Sequence, residues 1–350
     1  MVGEEKSGKG IAQPETGGEG RERADLSGVE IATRDDCSKI AGLHRVLGPM
    51  PMPRSILSAK LLLLLSPFMS FFALAEEWNV RDHIPLEKFV IQSHRGAGNL
   101  APENSRETFE LAWSLGTIPE ADLRTTKDGV IVAFHDHNFA RILPDAPVEM
   151  KKQGIEHLTW EQVAALDIGA WKGEKFSGQR VPRMDAVYEQ MKEQPGRRLY
   201  VDIKNVDLVQ LAREAKAAGV SGRLILASTD YKLIRRWKEL APASSTLHWM
   251  GGEESVLVER LDALKAEKFA AIDQLQIHVK PDGEGFTPSA DFLKRTGAEL
   301  RGHGILFQTL PWQSRDEALF RKLMDLGVAS FATDFPDFAA ETVRKYYAER

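Results

Sequence analysis

From residue 89 onward, short apolar runs alternate with stretches whose apolar positions recur at helical spacing. Runs at 90–93, 118–125, 130–134, 198–204, 223–228, 246–250, 272–279, 305–310 and 329–333 predict strands. In 107–115, Phe109, Ala112 and Trp113 stand at i, i+3 and i+4, one face of a helix. Helices are expected likewise at 185–192, 208–218, 231–240, 255–268, 289–300, 316–326 and 339–347. Lys127-Asp128-Gly129 joins the 118–125 and 130–134 runs as a hairpin turn. About eight wall strands alternating with helices over roughly 260 residues match the rhythm of an α/β fold of the (β/α)8 TIM-barrel type. A doubly wound open sheet is the alternative. It would usually place a Gly-rich phosphate turn after its first strand, and His94-Arg95-Gly96-Ala97-Gly98 lacks that spacing. Residues 138–183 are polar and Gly-rich with one helical patch at 160–166, and predict a small cap inserted after the second strand region.

The first 75 residues follow a different grammar. Arg54 and Lys60 precede an apolar run at 61–74, and Ala73-Leu74-Ala75 offers small residues before Glu76. This is the pattern of a secretory signal peptide at 50–75, cleaved after Ala75. The apolar run is shorter than the roughly 20 residues of a spanning helix, and Ser66 and Pro67 interrupt it, so no stable membrane span is expected after cleavage. Residues 1–49, rich in Gly, Glu and Arg, are expected either to lack a fold or to lie before a true start at Met50 or Met52. The reading is therefore a secreted or periplasmic protein whose barrel domain occupies 76–350.

Composition narrows the partners. With 350 residues, 43% of them hydrophobic and 28% charged, the chain is long enough for a large core. A net charge of −5 and the lack of a basic run give no reason to expect nucleic acid. Cys37 is the one cysteine, which excludes a disulfide framework or a thiolate zinc site within the chain.

The candidate chemistry gathers in residues 90–136. His94 and His135 end strand-like runs, and between them Glu120 and Asp122 stand two apart on a third. Alternate residues of a strand share a face, and Ala121 and Leu123 are apolar, so both carboxylates point into the barrel. Two buried carboxylates raise each other's pKa, a conflict that a divalent cation removes. Asp202 and Lys204 repeat the two-residue spacing, Asp202 as a third oxygen ligand and Lys204 as a partner for an anionic substrate; a plain Asp–Lys ion pair is the structural alternative. All-oxygen ligands point to one Mg2+ or Ca2+ rather than zinc. Arg95 is a natural clamp for phosphate. With two imidazoles beside it, the set suits displacement at phosphorus, one His taking the nucleophile's proton and the other protonating the leaving oxygen. Catalytic groups of such barrels stand at the C-terminal ends of strands, where His94, Glu120, Asp122, His135, Asp202 and Lys204 are all expected.

The same stretch resembles the glycerophosphodiester phosphodiesterase family. The motifs are His94-Arg95-Gly96, Pro102-Glu103-Asn104, Glu120-Ala121-Asp122, Thr126-Lys127-Asp128-Gly129, His135-Asp136 and, late in the chain, Thr333-Asp334-Phe335-Pro336-Asp337. The resemblance implies a metal-dependent barrel enzyme that hydrolyses small glycerophosphodiesters to an alcohol and glycerol 3-phosphate. It implies His94 and His135 for acid–base work, Arg95 for phosphate, and Glu120, Asp122 and Asp202 for the metal. The chain departs from the family at Asp202, commonly Glu, at Ser105, commonly Thr, and at Phe307-Gln308-Thr309-Leu310, commonly a strand with Trp and Thr. An Asp two residues before a Lys also resembles sphingomyelinase D-like phospholipases. A lysophospholipase D-like enzyme is accordingly one alternative, and a non-catalytic phosphodiester-binding protein on the same barrel another. Head group, choice of metal and oligomeric state stay open at this stage.

Overall fold

Alternation along the strands sorts the side chains into an inward and an outward set, and the sheet closes so that both sets are covered. The computed structural model describes residues 78–283 and 285–349. The expectations for 1–49 and for the signal segment 50–75 with its cleavage after Ala75 lie outside the described residues. The strands are β1 (Val90–Ser93), β2 (Ile118–Thr125), β3 (Ile131–Ala133), β4 (Leu199–Asn205), β5 (Leu224–Ser228), β6 (Ser245–Met250), β7 (Gln274–Asp282), β8 (Gly285–Thr287), β9 (Leu306–Pro311) and β10 (Ser330–Thr333). All but β3 and β8 form a parallel wall in the order β1-β2-β4-β5-β6-β7-β9-β10, and β10 pairs back onto β1. Parallel pairing around a ring with helices between strands is the (β/α)8 barrel.

The outward set, including Ala121, Leu123, Leu199, Val201, Leu226, Ile277 and Phe331, packs against helix residues such as Phe109, Leu211, Trp237 and Phe320 in the main apolar core. Capping starts the helices where the sequence predicts them. Ser105 accepts from Thr108 N ahead of helix Arg106–Ser114, and Asp207, Asp230 and Asp316 do the same for Leu208–Ala217, Tyr231–Leu240 and Glu317–Asp325. The inward set is mixed. Tyr200, Ile225, Ala227 and Leu247 form a small apolar cluster. Beside it Tyr200 Oη donates to Gln274 Oε1 at 2.7 Å, and Gln308 Nε2 donates to Ser330 Oγ at 2.9 Å. These pairings satisfy amides that would otherwise be costly inside the barrel.

β3 is the return strand of the expected 118–134 hairpin and stands outside the wall: it pairs antiparallel with the far end of β2 and brings His135 to the barrel mouth. Two expectations change in detail. Strand pairing runs past 279, the expected end of the 272–279 run, into a β7–β8 ribbon in which Pro281 pairs with Phe286. A two-stranded edge tolerates proline, and Gly283 takes the turn at φ 59°. Residues 138–183 hold more order than one helical patch, with helices Val148–Lys151 and Trp160–Ala164 and several single turns. Phe139, Ile142, Ile155, Leu158, Val163 and Ile168 there pack with Val132 and Phe134 in a second core on the β3 hairpin. Among the described residues no helix is long and apolar enough to cross a membrane.

Candidate active site

The first wall strand delivers His94 to the mouth. His94 N donates to Thr333 O at 3.0 Å, extending the β1–β10 ladder by one residue before the chain turns through Arg95 at φ 52° and Gly96 at φ 108°. The His94 Nδ1 then lies 2.7 Å from Asp334 Oδ1, just past β10. Glycine at 98 permits this close approach, since a Cβ there would stand 2.2 Å from the Asp334 carbonyl oxygen. Burial alone would lower the His94 pKa. The hydrogen bond to Asp334 and the nearby Glu120 carboxylate outweigh it, and the pKa is raised.

The three acidic residues meet on neighbouring strands. Asp122 of β2 and Asp202 of β4 are register partners, and Glu120 lies two residues earlier on the same face of β2. Glu120, Asp122 and Asp202 are 5%, 1% and 8% exposed, so water cannot screen them from one another. Each offers an oxygen, and these oxygens all lie within 4.8 Å of one another. Burial pushes the Glu120 and Asp202 pKa values up. It would do the same to Asp122, but Lys204, His135 and Arg95 hold that carboxyl low. Lys204 Nζ stands 3.1 Å from Asp122 Oδ1 and 2.9 Å from Asp202 Oδ2, the ion pair foreseen as the alternative for this spacing.

This donor set fits a hard cation. Asp122 Oδ1 is buried and accepts no aligned hydrogen bond, its Lys204 contact being ionic only. Asp122 Oδ2 is instead held by Asn104 Nδ2 at 2.8 Å, and Asn104 Oδ1 accepts from Asp122 N at 2.9 Å. Gln92 Nε2 similarly donates to Glu120 Oε2 at 3.0 Å. One oxygen of each residue is thus oriented while the carboxylates converge, the arrangement an oxygen-ligated Mg2+ or Ca2+ requires. Glu103, His135 and Asp136 also converge. There, however, the Arg141 guanidinium already donates to both carboxylates at 2.7–2.9 Å and supplies the positive charge.

His135 is held from both sides. Its Nδ1 lies 2.7 Å from Asp136 Oδ1 and its Nε2 2.9 Å from Arg95 Nη2. Arg95 Nη1 reaches Glu103 at 3.3 Å, while its buried Nε–H has no partner. His94, Arg95, Glu120, His135, Asp202 and Lys204 line one cavity of about 160 Å3, together with Trp249, His278 and Trp312. Asp122 is buried beside the Glu120 and Asp202 carboxylates that line it. Every residue expected at the site is therefore brought together.

Several supporting residues carried no assigned role in the linear reading. Glu103, Asn104, Asp136 and Asp334 stand inside the quoted motifs, but spacing names no partner for any of them. Gln92, one residue before the end of β1 and inward-facing, could have been found by strand alternation. Arg141, in the excursion after β3, has no sequence signal at all.

The sequence profile described as the glycerophosphoryl diester phosphodiesterase family matches residues 94–338. A glycerophosphodiester phosphodiesterase of Caldanaerobacter subterraneus is 26% identical over 271 residues, covering 74% of this chain and 99% of that protein. One from Bacillus subtilis is 23% identical over 278 residues, covering 74% and 88%. Among solved structures, an Oleispira antarctica phosphodiesterase in complex with the product sn-glycerol-3-phosphate superposes with a TM-score of 0.54 at 22% identity, over 76% of this chain and all of that one. The fold, the motif order and a profile match that spans the whole mouth of the barrel agree, and the chain belongs to the glycerophosphoryl diester phosphodiesterase family.

Proposed function

We propose that this glycerophosphodiester phosphodiesterase works with one divalent cation held by Glu120, Asp122 and Asp202, and with His94 and His135 as its acid and base. The observation that carries the reading is the unequal setting of the two imidazoles. Arg95 can only donate, so His135 Nε2 accepts and its proton sits on Nδ1, facing Asp136. When Arg95 turns to a bound phosphate it releases the Nε2 lone pair, and His135 can then act as the base. His94 has its Nδ1 on Asp334, a hydrogen bond that raises its pKa and favours the protonated form an acid needs.

The bound cation would neutralise charge on a phosphate oxygen. Arg95 has an unused Nε–H and Lys204 an ammonium at the cavity wall, and both would stabilise charge growing on the phosphoryl group. His135 Nε2 takes the proton of the attacking oxygen, from water or from the substrate's own glycerol hydroxyl. His94 donates its proton to the departing alkoxide, which leaves as the alcohol. Attack by water gives glycerol 3-phosphate directly, and solvent then restores both protonation states. Attack by the glycerol hydroxyl gives a cyclic phosphate that water then opens, with His94 taking the water's proton and His135 returning its own to the ring oxygen. A lysolipid substrate would need an apolar channel, whereas the opening beside Trp249 and Trp312 also carries Arg260 and Lys280.

The test is a metal-supplemented assay across several glycerophosphodiesters, detecting glycerol 3-phosphate. Release from at least one is expected, and no release from any would sink the reading. Export belongs to the same proposal: the N-terminus of secreted or periplasmic protein should be Glu76, and an exported protein that retains residues 50–75 would refute the cleavage.

A further inference from the structure

The cavity that holds the reactive groups shares a wall with a second one. Trp249, His278 and Trp312 line both. The second cavity has a volume of about 560 Å3 and is completed by Thr229, Gly251, Gly252, Arg260, Lys280 and Thr287. It is larger than the reaction cavity, about 560 Å3 against about 160 Å3, and its chemistry differs. The described residues that line it include two cations and no carboxylate, in a chain whose net charge is −5. At the reaction centre, by contrast, Arg95 and Lys204 are matched by acidic partners.

The two cations are placed differently. Arg260 comes from helix Glu254–Ala266, is half-buried, and donates to Thr229 Oγ1 at 3.0 Å. It has no carboxylate partner among the described residues, so burial costs it solvation without an ion pair in return. Lys280 is exposed on the β7–β8 ribbon. The wall shared with the reaction cavity is an aromatic partition. The Trp249 and His278 rings stack at 5.2 Å and 6°, and Trp312 packs on His278 at 5.8 Å. Trp312 is 42% exposed, a large aromatic surface left at an opening. A quaternary ammonium would gain from the indole faces but meet two uncompensated positive charges. An anionic group would meet both cations and a donor hydroxyl.

We propose that this side cavity receives the alcohol half of the substrate and selects alcohols that carry a second anionic group, such as a phosphomonoester. The proposal rests on the hydrolase reading above, in which His94 protonates that alcohol as it leaves. It goes beyond that reading by assigning Arg260 and Lys280, which lie outside the acid–base and cation-binding set. It also gives the Trp249–His278–Trp312 partition a purpose, since it separates the phosphodiester being cleaved from the terminal anion being recognised.

A matched pair of substrates tests it: glycerophosphoglycerol and the same diester with a terminal phosphate on the leaving glycerol. With cation-loaded wild-type protein, kcat/KM is expected to favour the phosphate-terminated diester by about ten-fold or more. Arg260→Ala and Lys280→Ala should each pull that ratio toward one. No preference in the wild type, an equal loss on both substrates in the variants, or a preference for glycerophosphocholine over both would overturn the assignment. Binding of the same pair to an H94A/H135A protein, measured by calorimetry, separates this question from the chemistry. Preferential binding there with no turnover by wild type would refute the hydrolase and retain the anion-selective cavity. Turnover by wild type without preference in either measurement would do the reverse.

Discussion

Arg95 Nη2 lies 2.9 Å from His135 Nε2, and this contact decides which nitrogen of the imidazole carries the proton. A guanidinium has no acceptor, so the lone pair is on Nε2 and the N–H on Nδ1 donates to Asp136. His94 makes its one side-chain hydrogen bond through Nδ1, to Asp334, and faces the cavity with the other nitrogen. The two imidazoles are thus held differently, His135 through both ring nitrogens and His94 through Nδ1.

His94→Ala and His135→Ala should each lower kcat by about 100-fold or more without unfolding the barrel. Asp136→Ala should do less, on the order of ten-fold, because the base survives and only its tautomer is released. Steady-state kinetics on one diester, with circular dichroism as the folding control, check this. Near-wild-type kcat in either histidine variant removes that residue from the mechanism.

The His94 ring should titrate above 6.5 in the metal-free protein, followed by NMR of its C2 proton. The sign follows from the folded state binding the proton more tightly. This group's contribution to stability is full below pH 6.5 and lost as pH rises through the folded value. In Asp334→Ala the hydrogen bond is gone and burial is less opposed, so the titration should fall. An unchanged midpoint would show that Asp334 does not set it.

Chelation should abolish activity, with Mg2+ or Ca2+ restoring it; full turnover after exhaustive EDTA treatment would refute the ligand assignment. Lys204 sharpens the test, because its ammonium balances Asp122 and Asp202 when no cation is bound. Lys204→Met should cost the metal-free protein about 3 kcal/mol, the scale for breaking a buried ion pair. The cost should shrink at saturating cation. Denaturant melts with and without EDTA measure the difference, and equal losses in both would speak against a shared site.

Asn104 holds Asp122 through two hydrogen bonds from an unusual backbone position, φ 54°. Asn104→Ala leaves a buried N–H and a buried carboxylate oxygen unpaired, for about 2 kcal/mol. Metal affinity should fall as well, since Asp122 is then free to rotate. Calorimetric titration with Mg2+ or Ca2+ and a denaturant melt check both; wild-type affinity would reduce Asn104 to a purely structural residue.

Local pattern was enough to read the parallel α/β alternation, the 118–134 hairpin and the inward face bearing Glu120 and Asp122. Each depends on periodicity over a few residues, which side-chain geometry translates directly into faces. The ribbon formed by β7 and β8 could not be read that way, because pairing past residue 279 runs through Pro281 and a glycine turn that carry no strand alternation. The same holds within the site. Asp334 reaches His94 across 240 residues, Arg141 reaches Glu103 across 38, and Arg260 meets Thr229 across 31. The sequence by itself determined the kinds of groups available and the faces they occupy. Only ring closure decided which charge neutralises which, because that choice needs positions in space that linear spacing does not contain.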